Sequence, residues 1–417
     1  MSLTYSNRSL SPIYVKFSGS AYEQLKEGYC LCYAIGSTET AGSYAGGGTA
    51  TTAGETRSLT GSSREFVVQK PSITNIRYPA GVVMDGPNMT ADANGNLMVQ
   101  ILPFTSKDVP GVEVMTDMSV TADDLLGLQP ESYFARRGVL FGNPILRVST
   151  TTTTPTATVP ATCRGVWAPF VEPEELESQH FDYFNDFVVP TTLHNGLTAQ
   201  ANAPTTAAGI GGIVGCVTSN TTNTVGGLRT TSLPVTLAAG NACLIDGRIA
   251  TAVGTALAGS VFFGCSAVTG AAQTMFADTT HAVAASQSFF GVVRVLGTSW
   301  APVVGAAGTN VTSTVTQANA DGTTGTTGTG FSTGTPIRWR LLYNGGTLSS
   351  GGTGRILVFY NDTLLCTLGS GSPSGAPTDI PTAAMYVHLC TKNVGAVETT
   401  CDIDYLRVRQ VRSATSF

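Results

Sequence analysis

Carboxylate pairs are the first residues in this sequence that could do chemistry. Hydrolysis of a glycosidic bond uses two carboxyl groups roughly 5 to 10 Å apart, and alternation along a strand points residues i and i+2 to one side. Asp402 and Asp404 have this spacing, but no glutamate accompanies them. Glu174, Glu175 and Glu177 cluster beside prolines in a segment typical of a solvated connection. We therefore expect no catalytic carboxylate pair.

A serine nucleophile and a metal centre are disfavoured on similar grounds. Ser332 occupies the central position of a GxSxG pattern, but a nucleophile elbow turns from a strand into a helix, and here a Gly/Thr repeat precedes the serine. The four histidines are scattered and the nine cysteines include no CxxC pair. We predict no enzymatic activity, no bound metal and no cofactor. The cysteines are expected to be reduced core residues, with pairing of Cys390 and Cys401 left open.

The composition narrows the classes of partner. The 417 residues contain 22 Lys and Arg against 27 Asp and Glu, a net charge of −5, and no basic run that could hold nucleic-acid phosphates. The most apolar long stretch, residues 250–268, is broken by Gly and Thr, so no membrane span is expected. The amino-terminal segment lacks a charged region followed by an apolar one, which predicts no signal peptide and synthesis in a cytoplasm.

The elements that must position any site are strands. Short apolar or alternating runs, separated by Gly, Asn, Asp, Pro and Thr, predict an all-β protein. The clearest helix signal is a single short segment at residues 20–27. We divide the chain into an N-terminal arm with a short helix and a Gly/Thr-rich loop, a small β domain, a connector, a β-sandwich and a tail, which span residues 1–64, 65–165, 166–180, 181–412 and 413–417.

The arm combines aromatic and basic residues with a long loop of simple composition that is not expected to fold alone. Tyr and Arg are enriched at protein interfaces, and such a segment can order itself on a partner, for example by adding a strand to an exposed sheet edge. A poorly ordered terminus is the alternative. We predict that the contacts with a partner come from Tyr5, Arg8, Tyr14, Lys16 and Tyr22.

The sandwich domain resembles the concanavalin A-like jelly roll of legume lectins, laminarinase-type glucanases and many phage particle proteins. The resemblance lies in a strand with Trp339, the hairpin RILVFYNDTLLCTL, a Pro-rich crossover at 372–381, the closing strand CDIDYLRVRQVR and the opening strand FDYFNDF. It implies a fold more than a function. The glucanases of this family place a glutamate, an aspartate two residues on and a second glutamate three further on one strand, and this chain lacks that pattern.

Tryptophans bear on sugar binding, because sugar faces stack on exposed rings. Trp339 lies inside an apolar strand and is expected in the core. Trp300 stands in the loop-like segment GTSWAP and is the one candidate for a glycan contact.

The first domain is similar to the amino-terminal parts of phage head decoration proteins in the segments GYCLCY, PAGVVMDG and GVWAPFVEPE. This resemblance implies a bacteriophage capsid decoration, or cement, protein: a structural virion protein on the outer capsid surface. The implied partners are the major capsid protein and neighbouring copies in a homo-oligomer, with a trimer suited to local threefold positions. The alternative is a receptor-binding or adsorption protein of the same particle that holds a host glycan; a glycoside hydrolase is less favoured.

Overall fold

The chain divides into two compact units, Met1–Gln179 and His180–Phe417, one residue before the predicted start of the sandwich. Every regular element in the described part is a β-strand, which confirms the all-β prediction. No helix among these residues is long and apolar enough to cross a membrane. The computed structural model describes residues 12–34, 67–84, 89–104, 110–142, 144–149, 155–156, 159–168, 180–187, 196–201, 205–206, 212–219, 221–231, 234–238, 240–253, 259–268, 276, 287–295, 299–306, 309–312, 336–345, 347–348, 352–353, 355–369, 380–393, 395 and 398–411.

The first unit contains two larger sheets. One is closed, with the strand order β1-β4-β3-β5-β7 and β7 pairing back to β1; the other is open, with the order β10-β9-β11-β12-β8. The strands are β1 (Ile13–Ser18), β2 (Gln24–Leu25), β3 (Cys30–Tyr33), β4 (Val67–Gln69), β5 (Pro79–Val83), β6 (Met89–Thr90), β7 (Asn96–Pro103), β8 (Pro110–Thr116), β9 (Leu125–Gly127), β10 (Arg136–Arg137), β11 (Leu146–Val148) and β12 (Ala161–Trp167).

The predicted boundary between an arm and a small domain at residues 64 and 65 is wrong. Strand β1 pairs with β7 and β4, and β3 pairs with β4 and β5, so both segments are integral strands of the closed sheet. Their side chains Val15, Phe17 and Leu31 are fully buried in its core. Because these contacts join residues far apart in sequence, the local composition gave no sign of them.

The predicted helix at residues 20–27 is also wrong. The segment forms a turn followed by the short strand β2, which pairs with β6. Tyr22 has a positive φ of 59°, a conformation that an α-helix does not contain. Glu23 accepts the backbone N–H of Ser20 at 2.8 Å, and Leu25 is buried in the closed sheet. Packing of Leu25 has overridden the local helix propensity.

The second unit is a sandwich of two antiparallel sheets. One has the order β15-β16-β29-β18-β23-β26-β27, with β13 also pairing β29; the other has the order β14-β17-β28-β19-β20-β21-β22. The strands are β13 (His180–Asn185), β14 (Leu197–Ala201), β15 (Thr205–Thr206), β16 (Val214–Val217), β17 (Val225–Thr230), β18 (Cys243–Val253), β19 (Gly259–Ser266), β20 (Phe289–Arg294), β21 (Ala301–Ala306), β22 (Thr309–Thr312), β23 (Ile337–Tyr343), β24 (Thr347–Leu348), β25 (Gly352–Thr353), β26 (Ile356–Tyr360), β27 (Thr363–Leu368), β28 (Tyr386–Asn393) and β29 (Thr399–Val411).

The sandwich core lies between these two sheets. Alternate residues of the facing strands, such as Ile245 and Leu341 from one sheet and Phe263 and Leu389 from the other, are buried together. The predicted hairpin at the end of the chain is confirmed, since β26 pairs with β27 across Asn361 and Asp362. Both turn residues have positive φ, as a two-residue hairpin turn requires.

Candidate interaction surfaces

Exposed apolar side chains gather on one side of the closed sheet. Tyr14 of β1 lies opposite Gln100 of β7, and Lys16 lies opposite Met98, so each pair shares one side of the sheet. Met84 directly follows β5 and donates its backbone N–H to the Gln100 carbonyl at 2.9 Å. This bond places Met84 beside Gln100, on the other side of β7 from Tyr14. Tyr14 is 65% exposed, Met98 56% and Met84 39%. We call these five residues the tyrosine–methionine face.

Strand alternation produces this face. Val15 and Phe17 of β1, and Val99 and Ile101 of β7, are buried in the closed sheet, so the residues between them point outward. Contiguous exposed apolar side chains are a feature of contact sites, whereas single exposed ones are normal on a protein surface. The face is therefore a candidate for burial against another molecule.

The five residues predicted to contact a partner lie in different parts of the chain. Tyr14 and Lys16 lie side by side on the tyrosine–methionine face. Tyr22 is exposed in the turn before β2 and does not belong to this row. Tyr5 and Arg8 lie outside the described residues. The sequence reading missed Met84 and Met98, although the alternation in LMVQIL already indicated an outward position for Met98.

The outer side of the seven-stranded sheet is buried at its centre. Val387 and Leu389 of β28 point into the sandwich core, so His388, Cys390 and Lys392 point the other way. All three are nevertheless 0% exposed. In the described part of the chain, this side of the sheet is a packed surface at β28, not an open cleft.

A second apolar cluster covers this side. Phe262 and Phe276 pack with Cys390 in a group separate from the main core. Burial, together with the nearby charge of Arg229, lowers the pKa of His388 to about 3. A histidine in this state is neutral near pH 7 and is not poised for proton transfer.

The outer side of the eight-stranded sheet carries paired charges. A row across five strands places Phe184 opposite Arg407, Arg407 opposite Asp246, Asp246 opposite Arg340, and Arg340 opposite Phe359. Aromatic, cationic and anionic side chains therefore alternate along one line. We call this surface the arginine–aspartate face, which comprises Asp182, Phe184, Asp246, Arg248, Arg338, Arg340, Asp362, Asp404, Tyr405, Arg407 and Arg409.

Asp246 is the centre of this face. Its Oδ1 accepts hydrogen bonds from Arg338 Nε at 3.0 Å and from the Tyr405 hydroxyl at 2.9 Å. Its Oδ2 accepts from Arg338 Nη2 at 2.6 Å and from Arg340 Nε at 3.2 Å. Arg340 also reaches Asp362, with Nη1 2.6 Å from Oδ1. The carboxylate is almost fully buried, and these four donors replace the water that it has lost.

Asp182, a residue of β13, lies at one edge of the arginine–aspartate face. Arg407 Nε and Nη2 donate to its two oxygens at 3.0 and 2.6 Å, and Arg409 Nε donates at 2.8 Å. Burial acts to raise the pKa of Asp182, but the two arginines outweigh it and hold the pKa below its ordinary value. Phe184 is 57% exposed beside this cluster. The Arg407 guanidinium lies 6.0 Å from its ring centroid and the Tyr405 ring lies 6.2 Å away.

The sequence contained a signal for this face. Arg338 and Arg340 flank Trp339 of the sandwich core, and Arg407 and Arg409 flank Val408 of the same core. Two arginines at alternate positions around a buried residue must share the outer side of a strand. Their aspartate partners come from other strands, which the sequence does not place.

Asp402 and Asp404 do not form a catalytic pair. Asp404 lies 3.2 Å from Arg248 in an ion pair. Asp402 is 2% exposed, its Oδ2 has no hydrogen-bond partner among the described residues, and burial raises its pKa to about 6. The other candidates, Glu174, Glu175, Glu177 and Ser332, lie outside the described residues.

The cysteines are thiols and form no disulfide. Eight are buried and Cys366 is half-buried, and burial raises the pKa of Cys30, Cys216 and Cys390, among others. Such thiols are poor nucleophiles. In the described part of the chain no three His, Cys, Asp or Glu residues are grouped to hold a metal ion.

Trp300 is not an exposed ring, and its assignment as a glycan contact is wrong. It is 1% exposed and lies 5.7 Å, ring to ring, from Trp339. Both tryptophans belong to the sandwich core, as predicted for Trp339. The residues around Trp300 resemble a loop in sequence, but Trp300 itself directly precedes β21 and packs inward.

Comparison with known proteins yields likenesses of fold. No protein-family model and no curated protein matches the chain. Among solved structures, it is similar to peanut lectin with a nine-residue peptide (12% identity, 57% of this chain and 100% of the lectin, TM-score 0.39). It is also similar to an endo-1,3-β-glucanase from Streptomyces sioyaensis (10%, 59% and 100%, 0.38) and to a protein of unknown function from Shewanella oneidensis MR-1 (14%, 60% and 98%, 0.36). These low identities and TM-scores give no information on function.

Proposed function

We propose that this chain is a non-enzymatic structural protein of a bacteriophage particle, which decorates and stabilises the outer capsid surface. The tyrosine–methionine face would be the docking surface. One observation carries the proposal: of the large apolar side chains that are exposed in the described residues, all but Phe184 belong to the first unit. They are Tyr14, Tyr22, Tyr78, Met84, Met98 and Val159.

The energetics favour docking through this face. Burying a Met or similar side chain is worth about 1.5–3 kcal/mol, and Met side chains adapt their shape to a partner. A protein that binds assembled capsid better than free subunits stabilises the assembly by mass action. The proposed partners are the major capsid protein and neighbouring copies in a homo-oligomer, and a trimer remains a prediction. No nucleic acid or membrane partner is proposed.

The state of the acidic groups in the sandwich supports a non-enzymatic role. Asp182, Asp246 and Asp404 are each bound to arginine. Asp402 is buried, and its Oδ2 has no hydrogen-bond partner among the described residues. Hydrolysis of a glycosidic bond requires one protonated and one ionised carboxyl group facing the same substrate. A glycoside hydrolase is therefore the least favoured function. The adsorption role is weakened because Trp300, its predicted glycan contact, is buried.

The test begins with particles. The chain should be present in purified virions at a copy number comparable to that of the major capsid protein, measured by quantitative mass spectrometry. A handful of copies would favour an adsorption protein, and absence from the particle would overturn the proposal.

A binding assay then tests the docking surface. Particles that lack the chain are incubated with the purified protein, and the bound fraction is measured by sedimentation. Replacing Tyr14 and Met98 together by Ala should weaken binding at least about tenfold. Phe184→Ala is the matched control, because it also removes one exposed apolar side chain but from the other unit. Equal losses in both variants would contradict docking through the tyrosine–methionine face.

A further inference from the structure

The exposed sulfur-containing side chains of the described residues lie on one surface. They are Met98, which is 56% exposed, and Met84, which is 39% exposed, and both belong to the tyrosine–methionine face. The other methionines in the described part of the chain are half-buried or buried, namely Met89, Met115, Met118 and Met385. A small oxidant that arrives from water therefore meets the thioethers of Met98 and Met84 first.

The cysteines do not compete for such an oxidant. Eight are buried and Cys366 is half-buried, and oxidation of a cysteine proceeds through its thiolate. Burial raises the pKa of Cys30, Cys216 and Cys390, so their thiolate forms are scarce near pH 7. A thioether carries no ionisable proton, and its oxidation needs no deprotonation. The most accessible reactive sulfur in the described residues therefore lies on the proposed docking surface.

We infer that Met84 and Met98 are oxidation sites that control docking, and that a peroxide prevents attachment of the chain by converting them to sulfoxides. The thioether sulfur attacks one oxygen of hydrogen peroxide, and the O–O bond breaks as the S–O bond forms. The sulfur gives an electron pair to the peroxide, the proton of the transferred hydroxyl goes to the departing hydroxide, and water leaves. This inference rests on the docking surface proposed above.

Oxidation reverses the property that suits this face to docking. A thioether is apolar and adapts its shape to a partner, whereas a sulfoxide is polar and chiral. In the free chain, water solvates the sulfoxide oxygen. In the docked chain that oxygen would be buried, and burial of a polar group without a hydrogen-bond partner is unfavourable. A partner that already covers the face also covers both sulfur atoms, so oxidation acts on free chains.

The experiment treats the purified full chain with increasing amounts of hydrogen peroxide. Peptide mapping by mass spectrometry should show that Met84 and Met98 each gain one oxygen atom before Met385 does. Sedimentation with particles that lack the chain should then show binding weakened at least about tenfold. Methionine sulfoxide reductases, one for each sulfoxide epimer, should restore binding. The urea midpoint should stay unchanged, because exposed side chains contribute little to the fold.

Leucine variants identify the sulfur atoms that matter, because leucine is apolar and cannot form a sulfoxide. The chain with both Met84→Leu and Met98→Leu is compared with itself, and peroxide should leave its affinity for particles at the value measured before treatment. Met385→Leu is the matched control from the sandwich core, where such a swap conserves volume. Peroxide should weaken its binding as it does for the wild type.

Three results would overturn the inference. They are unchanged binding after full oxidation of Met84 and Met98, an equal loss of binding in the double leucine variant on peroxide treatment, and oxidation of Met385 before the two exposed residues. If the untreated chain failed to bind particles, the decoration proposal would fail and this control with it. The peptide map would then still show whether Met84 and Met98 react first, which keeps the two failures distinct.

Discussion

The tyrosine–methionine face and the arginine–aspartate face are both sheet surfaces that point away from a core, yet their chemistry is opposite. The first exposes Tyr14, Met84 and Met98 with one lysine among them. The second consists mostly of ionised side chains that are already bound to one another, such as Asp246 with Arg338. An apolar surface gains free energy when a partner covers it, whereas paired charges lose hydration.

Under the proposed decoration role, this difference predicts separate tasks for the two units. Docking onto a protein surface should favour the first unit, where covering the face removes apolar area from water at about 25 cal/mol per Å². The second unit should keep the partly exposed charges at the edge of its face, such as Arg407 and Asp182, in contact with water. Two results would contradict this comparison. One is that the paired charges do not stabilise the sandwich, and the other is that the exposed apolar residues stabilise the fold of the first unit.

The largest loss in the free energy of unfolding is expected on replacement of Asp246. Asp246→Ala removes the carboxylate that binds Arg338, Arg340 and the Tyr405 hydroxyl, and leaves the buried Arg340 short of compensating charge. Loss of one partner from a buried ion pair costs about 3–5 kcal/mol. Urea unfolding followed by tryptophan fluorescence should show this loss, because Trp300 and Trp339 are in the sandwich core.

Asp404→Ala is the matched control for that experiment. Asp404 also pairs with an arginine of the same face, but its side chain and that of Arg248 are 33% and 49% exposed. Exposed ion pairs contribute about 0–1 kcal/mol. A loss at Asp404 as large as that at Asp246 would show that burial does not govern the strength of these pairs.

The sequence contains a signal for the outward side chains of the arginine–aspartate face but none for their partners. Alternation alone points Arg338, Arg340, Arg407 and Arg409 away from the core. Asp182, however, is 225 and 227 residues from Arg407 and Arg409. Which strands are neighbours depends on the global packing of the sandwich, and period-2 patterns carry no information on it.

The same limit explains the two errors in the first unit. The composition around Val15 and Phe17 predicts an arm, but the pairing partners of this segment lie more than 50 residues away, in β4 and β7. A long loop of simple composition then suggested a segment that could not fold alone. The all-β class and the hairpin at Asn361 and Asp362 were predicted correctly, since both depend on local alternation and turn chemistry.

A smaller effect, of opposite sign, is expected at Asp402, a carboxyl group of β29 whose Oδ2 lacks a hydrogen-bond partner in the described residues. Burial raises its pKa to about 6 from the ordinary 3.8. A raised pKa in the folded state gives stability that is fully present below pH 4 and is lost as the pH rises through 6. At pH 8 the ionised form costs about 1–3 kcal/mol.

Asp402→Asn should therefore stabilise the sandwich by about 1–3 kcal/mol at pH 8 and change it little at pH 4. Urea unfolding at the two pH values measures the difference. Asp182, whose pKa is lowered by two arginines, provides the contrast, since Asp182→Asn should destabilise at pH 8. If Asp402→Asn destabilised the protein at pH 8, the carboxylate would be making a favourable ionic contact, and the distinction between paired and unpaired carboxylates would fail.

The smallest effect on stability is expected on the tyrosine–methionine face itself. Tyr14→Ala and Met98→Ala should each change the free energy of unfolding by no more than about 0.5 kcal/mol, because exposed side chains without buried contacts contribute little to the fold. Phe17→Ala, on the inner side of the same strand, should cost about 3–5 kcal/mol and is the positive control. A loss above 2 kcal/mol at Tyr14 or Met98 would mean that these residues pack within their own chain. The apolar face would then belong to the fold, and docking would need another surface.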